Sequence, residues 1–231
     1  MSANANDPLT TTTAPPLSDR SGVTDTVRAQ LLASEHWSLL ATRSMLWNEA
    51  FSRASMFITV LSAALVALAL VAQATAFGPG FRLFGLLVLP IVLLLGLATV
   101  IRLEDTVTED YGLVIGMNRL RHAYLELAPE LEPYFVAAHH DDAVGVTASF
   151  GFGAGYGIVR LLAGTPTVVA AINVVVVGVL AALIAQVAGA SEAIVVAVGV
   201  VTALTAVIGL GALASRAIAR KRQLYPPRFP S

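Results

Sequence analysis

Four segments of the chain contain no charged residue, and each is as long as a helix that crosses a lipid bilayer. They are residues 54–81, 83–101, 161–191 and 193–215, and a spanning helix needs roughly 17–25 apolar residues. Charged residues make up only 13% of the chain, against roughly 25% in soluble globular domains. This composition excludes an ordinary soluble enzyme and a disordered protein, and the absence of cysteine excludes a disulfide scaffold. The sequence therefore predicts an all-α membrane protein with four transmembrane helices.

The basic residues predict how these helices cross the membrane. Of the 14 Lys and Arg residues, only Arg82 lies in one of the two short outer connections, Gly78–Arg82 and about Gly189–Glu192. Because Lys and Arg near span ends are retained in the cytoplasm, we expect both termini and the central loop to be cytoplasmic. The short connections predict two transmembrane hairpins in the plasma (cytoplasmic) membrane, and the preference for Arg over Lys is typical of a high-GC bacterial genome. The predicted spans are about 54–77, 83–101, 166–188 and 193–214.

The remaining segments are predicted to be cytoplasmic. Residues 1–24 are polar and small and are predicted to be a disordered tail. Residues 25–53 contain no Gly or Pro and are predicted to be an amphipathic helix. Residues 103–160 form a second helical region, and residues 216–231 form a basic tail.

Two apolar patterns in these segments have the helical spacing of three and four residues. The first is a stripe that consists of Ala33, Trp37, Leu40, Ser44, Trp47 and Phe51. The second is a heptad-like interaction seam that consists of Leu113, Met117, Leu120, Tyr124 and Leu127. Pro129 is expected to end the helix of the seam. We expect the two helices to pack antiparallel with Trp37 in their core, whereas Trp47 has the alternative role of an anchor at the membrane interface.

Candidate metal ligands lie only in the cytoplasmic segments. They are His122 and Glu126, which are four residues apart on one helical face, and His139 and His140, which precede two aspartates. Imidazole and carboxylate are ligands for zinc or iron, but adjacent helical residues point about 100° apart and no spacing matches a motif such as H-E-x-x-H. We therefore predict a solvated turn at residues 139–142, no cofactor and no metal, with these four residues as weak candidates.

Two further patterns have more than one interpretation. The acidic residues Glu104, Asp105, Glu109 and Asp110 predict a solvated helix face beside Arg102, with a cation site or a partner contact as the alternative. The run Phe150–Gly157 has glycine at every second position. It lacks the strand context and the lysine of a phosphate-binding loop, so we interpret it as a close helix contact or a hinge.

The predicted spans contain no ionisable residue, which argues against proton-coupled transport and intramembrane acid–base catalysis. Their polar side chains are candidates for helix packing or, in an oligomer, for pore lining: Asn173, Thr202, Thr205, Gln73 and Gln186. Small residues four apart predict close helix packing: Gly178 with Ala182, Gly199 with Ala203, and Ala63 with Ala67.

These observations lead to three functional hypotheses. The first is a non-enzymatic membrane protein that acts by assembly or partner recruitment through its cytoplasmic helices. The second is a subunit of an oligomeric channel or pore, and the third is a membrane-bound metalloenzyme. The expected partners are membrane lipid and either a second copy of the chain or another membrane or cytoplasmic protein. Nucleic acid is not expected, because the formal net charge is -1 and gives no general attraction to phosphate.

Overall fold

The protein is helical throughout the part of the chain that its structure describes. The computed structural model describes residues 23–150 and 164–231, apart from the side chains of residues 218 and 220–222. Within these ranges there are helices and connecting segments but no strand, and the predicted all-α class is confirmed. The α-helices are α1 (Asp25–Thr75), α2 (Pro79–Leu127), α3 (Ala143–Ser149), α4 (Thr165–Val187) and α5 (Glu192–Leu224), and a 3₁₀ helix covers Pro129–Tyr134.

Four of the helices, α1, α2, α4 and α5, are long and apolar enough to cross a membrane. Each contains an 18-residue window with a mean hydropathy of 2.4 or more, so the four predicted spanning helices are confirmed as apolar helices of sufficient length. Residues 1–22 of the predicted tail and residues 151–157 of the glycine-rich run lie outside the described residues.

The long helices follow from where the sequence places its helix breakers. Helix α1 runs through 51 residues without a break, because none of them is Gly or Pro. It ends in a tight turn in which Ala76 and Phe77 adopt left-handed backbone angles, with φ of 46° and 58°. Pro79 then begins α2, since proline has no N–H to leave unsatisfied in a first helical turn. Pro90 lies inside α2, and the helix continues past it.

The described chain divides into two compact units. Unit 1 comprises residues 23–44, 109–150 and 221–231, and unit 2 comprises residues 45–108 and 164–220. Helices α1, α2 and α5 each contribute residues to both units.

The core of unit 2 is formed by apolar side chains of α1, α2 and α4. Its buried residues are Ala50, Ala54, Phe57, Leu89, Val92, Val100, Leu103, Val169, Val176 and Leu183. Trp47 packs against this core, and its ring lies 5.4 Å from that of the exposed Phe51. Glu49 of α1 links to α2 through Arg102, with an oxygen–nitrogen distance of 3.2 Å.

Helices α4 and α5 approach closely through the small residues that the sequence singles out. A Cβ placed on Gly178 would lie 3.0 Å from the carbonyl oxygen of Gly199 and 3.2 Å from Cβ of Ala203. A Cβ placed on Gly199 would lie 3.1 Å from Cβ of Ala182. The two pairs of small residues therefore lie against each other, and larger side chains would force the helices apart.

The polar residues of the spans separate into buried and exposed positions. Asn173 is only 3% exposed, its amide donates to the Val169 carbonyl at 2.9 Å, and its Oδ1 packs against Gly96 so closely that no Cβ fits there. Thr202 is half-buried, whereas Thr205, Gln73 and Gln186 are exposed. The side chain of Asn173 is thus a packing contact between α2 and α4 within this unit.

The core of unit 1 contradicts the predicted orientation of its first helix. Buried Val114, Ile115, Met117 and Val146 pack with Leu39, Tyr111, Phe150 and Tyr225. Trp37 is not in this core, because 71% of its surface is exposed, and Leu40 is exposed as well. The face of α1 turned inward carries Leu32, His36, Leu39 and Arg43. The placement of Trp37 in a core was wrong because two residues of the true inner face are polar and do not appear in an apolar pattern.

Candidate functional site

The most constrained site of unit 1 is built around the buried carboxylate of Asp141. Its side chain accepts hydrogen bonds from the backbone N–H groups of Arg228, at 2.9 and 3.0 Å, and of Phe229, at 2.7 Å. It also pairs with Arg119, with Nε 2.7 Å from Oδ2. The Asp141 backbone N–H donates to the Phe229 carbonyl at 3.2 Å, so the segment is held from both directions.

Ionisation of Asp141 is favoured by these contacts. Burial of the carboxyl by itself opposes the charged form, but the hydrogen bonds from Arg228, Arg119 and Phe229 outweigh it, and the pKa of Asp141 is lowered. A carboxylate that accepts several N–H groups is stabilised in its charged form. The prediction of a solvated turn at residues 139–142 is therefore wrong for Asp141, whose side chain is fully buried.

Asp142 extends the site by joining helix α3 to the chain's last residues. Its Oδ1 accepts the Gly145 N–H at 2.8 Å as the N-cap of α3, which is the preferred role of aspartate at a helix start. Its Oδ2 accepts the Ser231 N–H at 3.1 Å and the Ser231 hydroxyl at 2.7 Å. Arg119 completes the cradle by donating to the Pro226 carbonyl at 3.0 Å. We name residues 226–231 the C-terminal segment.

Asn118 connects this cradle to the rest of unit 1. The amide is fully buried and donates to the His140 carbonyl at 2.7 Å. Its oxygen accepts hydrogen bonds from Arg121 and from the Ser149 hydroxyl, both at 2.8 Å. All of the contacts named here satisfy buried polar groups that would otherwise lower stability.

Three histidine rings pack in a row beside the C-terminal segment, and we call this row the histidine stack. The rings of His139 and His140 are 4.1 Å apart, and those of His122 and His139 are 6.2 Å apart. The Phe229 ring stacks on His122 at 4.1 Å, and Nε2 of His122 lies 3.7 Å from the Glu126 carboxylate. The structure thus brings the sequence-predicted candidates close together. Among the described residues, however, no group of three or more His, Asp or Glu side chains has an arrangement that could hold a metal ion.

A second buried charge pair links α1 to α2 within unit 1. Arg43 contacts Asp110 through two nitrogen–oxygen pairs, at 2.6 and 3.3 Å, and its guanidinium lies 5.4 Å above the Phe150 ring. The prediction of a solvated acidic face is wrong for Asp110, because this residue is buried. Asp105 and Glu109 of the same acidic group are exposed.

The predicted interaction seam lies mainly in the interior of unit 1. Met117 is buried, and Leu113, Leu120, Tyr124 and Leu127 are half-buried. Tyr124 stacks between His36 and Phe135, with ring distances of 6.0 and 6.4 Å. The predicted stripe instead forms part of the exposed apolar surface of α1 in this unit, where Trp37, Leu40 and Ser44 are exposed and Ala33 is half-buried.

The residues that sequence reasoning missed are charged or aromatic groups paired over long sequence distances. Arg43 carried a usable signal, because it continues the spacing of four and three residues from His36 and Leu39 to Leu46. Asp142 also carried one, since an aspartate directly before the apolar residues that begin α3 fits an N-cap. The partners of Asp141 lie 87 and 88 residues away, and no local pattern indicates them.

Comparison of the chain with protein-family models, with curated proteins and with solved structures finds no match.

Proposed function

We propose that this chain is a non-enzymatic membrane protein that acts by assembly. Two hairpins anchor it in the cytoplasmic membrane with both termini inside, and the cytoplasmic part associates with a second copy through the stripe on α1. The observation that carries this proposal is the 71% exposure of Trp37, next to exposed Leu40 and Ser44 on one helix face.

The physical argument is the cost of leaving this surface in water. Burial of a large apolar side chain contributes about 1.5–3 kcal/mol relative to its exposure, and tryptophan is among the residues that dominate protein interfaces. Two identical stripes that meet about a two-fold axis each bury the other's tryptophan. Leu39 and Arg43, on the inner face of α1, already pack within unit 1. The stripe lies on a different face of the helix and is therefore available to a second copy.

The orientation in the membrane is supported by the charge distribution. Arg216 and the three basic residues at positions 220–222 directly follow the uncharged segment 193–215. Basic residues at the cytoplasmic surface gain roughly 1 kcal/mol each from anionic lipid. This favours lipid contact at the cytoplasmic end of α5.

The test is the oligomeric state of the purified protein in nanodiscs, measured by mass photometry. The wild-type chain is expected to form dimers or larger assemblies, and the double variant W37A/L40A is expected to be monomeric at the same concentration. The matched control is Leu31→Ala, because Leu31 is also exposed but lies nine residues from Leu40, on the opposite side of α1 at 100° per residue. A wild-type chain that stays monomeric, or a control that dissociates equally, contradicts the proposal.

A second candidate function, a pore within such an assembly, is favoured by one observation. Thr205, Gln73 and Gln186 are exposed on the apolar helices, where polar groups often face other helices or water. Asn173 is excluded from this lining because it is buried against Gly96. Ion flux through liposomes that contain the wild-type chain, lost in T205V, is expected for a pore. Absence of flux under voltage and pH gradients contradicts it.

A further inference from the structure

Two of the three stacked histidines each have a ring nitrogen that is buried. Nδ1 of His122 and Nδ1 of His140 are buried and have no hydrogen-bond partner among the residues that the structure describes. An imidazolium carries a hydrogen on both ring nitrogens, so protonation would bury N–H donors that have no acceptor. A buried donor left unsatisfied is unfavourable.

Protonation also places like charges close together. The His139 and His140 rings are 4.1 Å apart and His122 is 6.2 Å from His139, so imidazolium groups in this stack repel one another. Burial lowers the pKa of His139. The neighbouring His140 and His122 lower this pKa further, whereas Glu132 raises it. The ordinary pKa of histidine is near 6.5. Because the pKa of His139 is lower than this in the folded state, His139 favours folding at a pH above 6.5, and this contribution is lost as the pH falls below that value.

Carboxylates that face the stack oppose this effect. Glu126 lies 3.7 Å from Nε2 of His122, Glu132 acts on His139, and Asp142 interacts with His140. Asp142 is already occupied, because it accepts hydrogen bonds from Gly145 and Ser231. The 3.7 Å contact of Glu126 is an ion pair only when His122 carries a proton. Asp141 is engaged by Arg119 and the C-terminal segment.

The C-terminal segment depends directly on this stack. Phe229 places its ring 4.1 Å from that of His122, while its backbone is held by Asp141. A shift of the histidine rings therefore removes the surface on which Phe229 lies, and a shift of residues 139–140 moves the adjacent Asp141. We propose that His122, His139 and His140 form an acid-released latch that holds the C-terminal segment against unit 1 near neutral pH and frees it on acidification. This goes beyond the proposed assembly and does not depend on it.

The chain contains no cysteine, so a single introduced cysteine reports on the segment alone. Pro230 is exposed, and a nitroxide spin label on Pro230→Cys measures the segment's mobility in the full chain between pH 8 and pH 5. The label is expected to be restricted at pH 8 and mobile at pH 5, with a midpoint at or below the unperturbed histidine value of about 6.5. A label that is mobile at pH 8, or still restricted at pH 5, overturns the proposal.

Two variants assign the transition to the stack. In H122Q/H139Q/H140Q, which cannot be protonated in this range, the label is expected to stay restricted at pH 5. The matched control is His36→Gln, which removes the fourth histidine, stacked on Tyr124, and is expected to keep the transition. A transition that persists in the triple variant overturns the latch, as does one that disappears in H36Q.

A single substitution keeps the test decisive if the triple variant does not fold. His139 stands between the other two rings, so His139→Gln removes both like-charge contacts named above. Its midpoint is expected to move to lower pH. A midpoint equal to that of the wild-type chain contradicts the latch.

Discussion

Removal of Arg43 is expected to destabilise unit 1 more than removal of its partner, because the two side chains differ in burial. The Asp110 side chain is 2% exposed, whereas that of Arg43 is 30% exposed. Arg43→Met leaves a buried carboxylate without a counter-charge, which costs about 3–5 kcal/mol. Asp110→Asn leaves a guanidinium that still reaches water and an amide that can accept one of its hydrogen bonds, so we expect a cost of about 1–2 kcal/mol.

The assay is hydrogen–deuterium exchange of α2 peptides that cover residues 109–118. At 1.4 kcal/mol per factor of ten, protection is expected to fall by about two to four powers of ten in R43M and by about one in D110N. The apolar double variant R43M/D110L is expected to recover most of the loss, because replacing a buried pair by apolar groups is often neutral. The matched control is Arg53→Met, whose side chain is 52% exposed and whose partner Glu49 is 45% exposed, so its loss is expected to cost less than about 1 kcal/mol. Equal losses in R43M and D110N, or no recovery in the double variant, refute the reasoning.

Three further predictions concern other parts of the chain. In spheroplasts, Ser191→Cys is expected to react with a membrane-impermeant maleimide, whereas Val136→Cys is expected to react only after permeabilisation; the reverse pattern contradicts the proposed orientation. Gly199→Leu is expected to separate α4 from α5 and lower the thermal unfolding midpoint in detergent, whereas Gly209→Leu, where a Cβ meets nothing within 4 Å, is expected to leave it unchanged. Asp141→Asn is expected to free the spin-labelled C-terminal segment at pH 8. In the wild-type chain the pKa of Asp141 is lowered, so the stability that this carboxylate contributes is present above about pH 4 and lost below that. Release in the wild-type chain only below pH 4 would assign the transition to this carboxylate.

The apolar part of the fold could be predicted because its cause is local in sequence. A helix that carries no charge over 19 or more residues can be identified from its own sequence, without its partners. The spacing of the small residues at Gly178 and Gly199 likewise predicts close packing by itself. The orientation of α1 in unit 1 could not be predicted in the same way. Its inner face includes His36 and Arg43, which are satisfied by Tyr124 and Asp110, so the apolar stripe beside it looked like the buried face.

The candidate site was missed for the same physical reason. A histidine–aspartate run looks solvated in the sequence because nothing nearby in sequence neutralises its carboxylates. Asp141 is instead satisfied by backbone N–H groups of Arg228 and Phe229 and by Arg119, and such donors leave no trace in composition. Burial of a carboxylate is tolerated only where such donors converge. A buried carboxylate in unit 1 therefore identifies the segments that must come together. The ion pair of Asp110 and the cradle of Asp141 specify the arrangement of unit 1 more strictly than the small apolar core of this unit does.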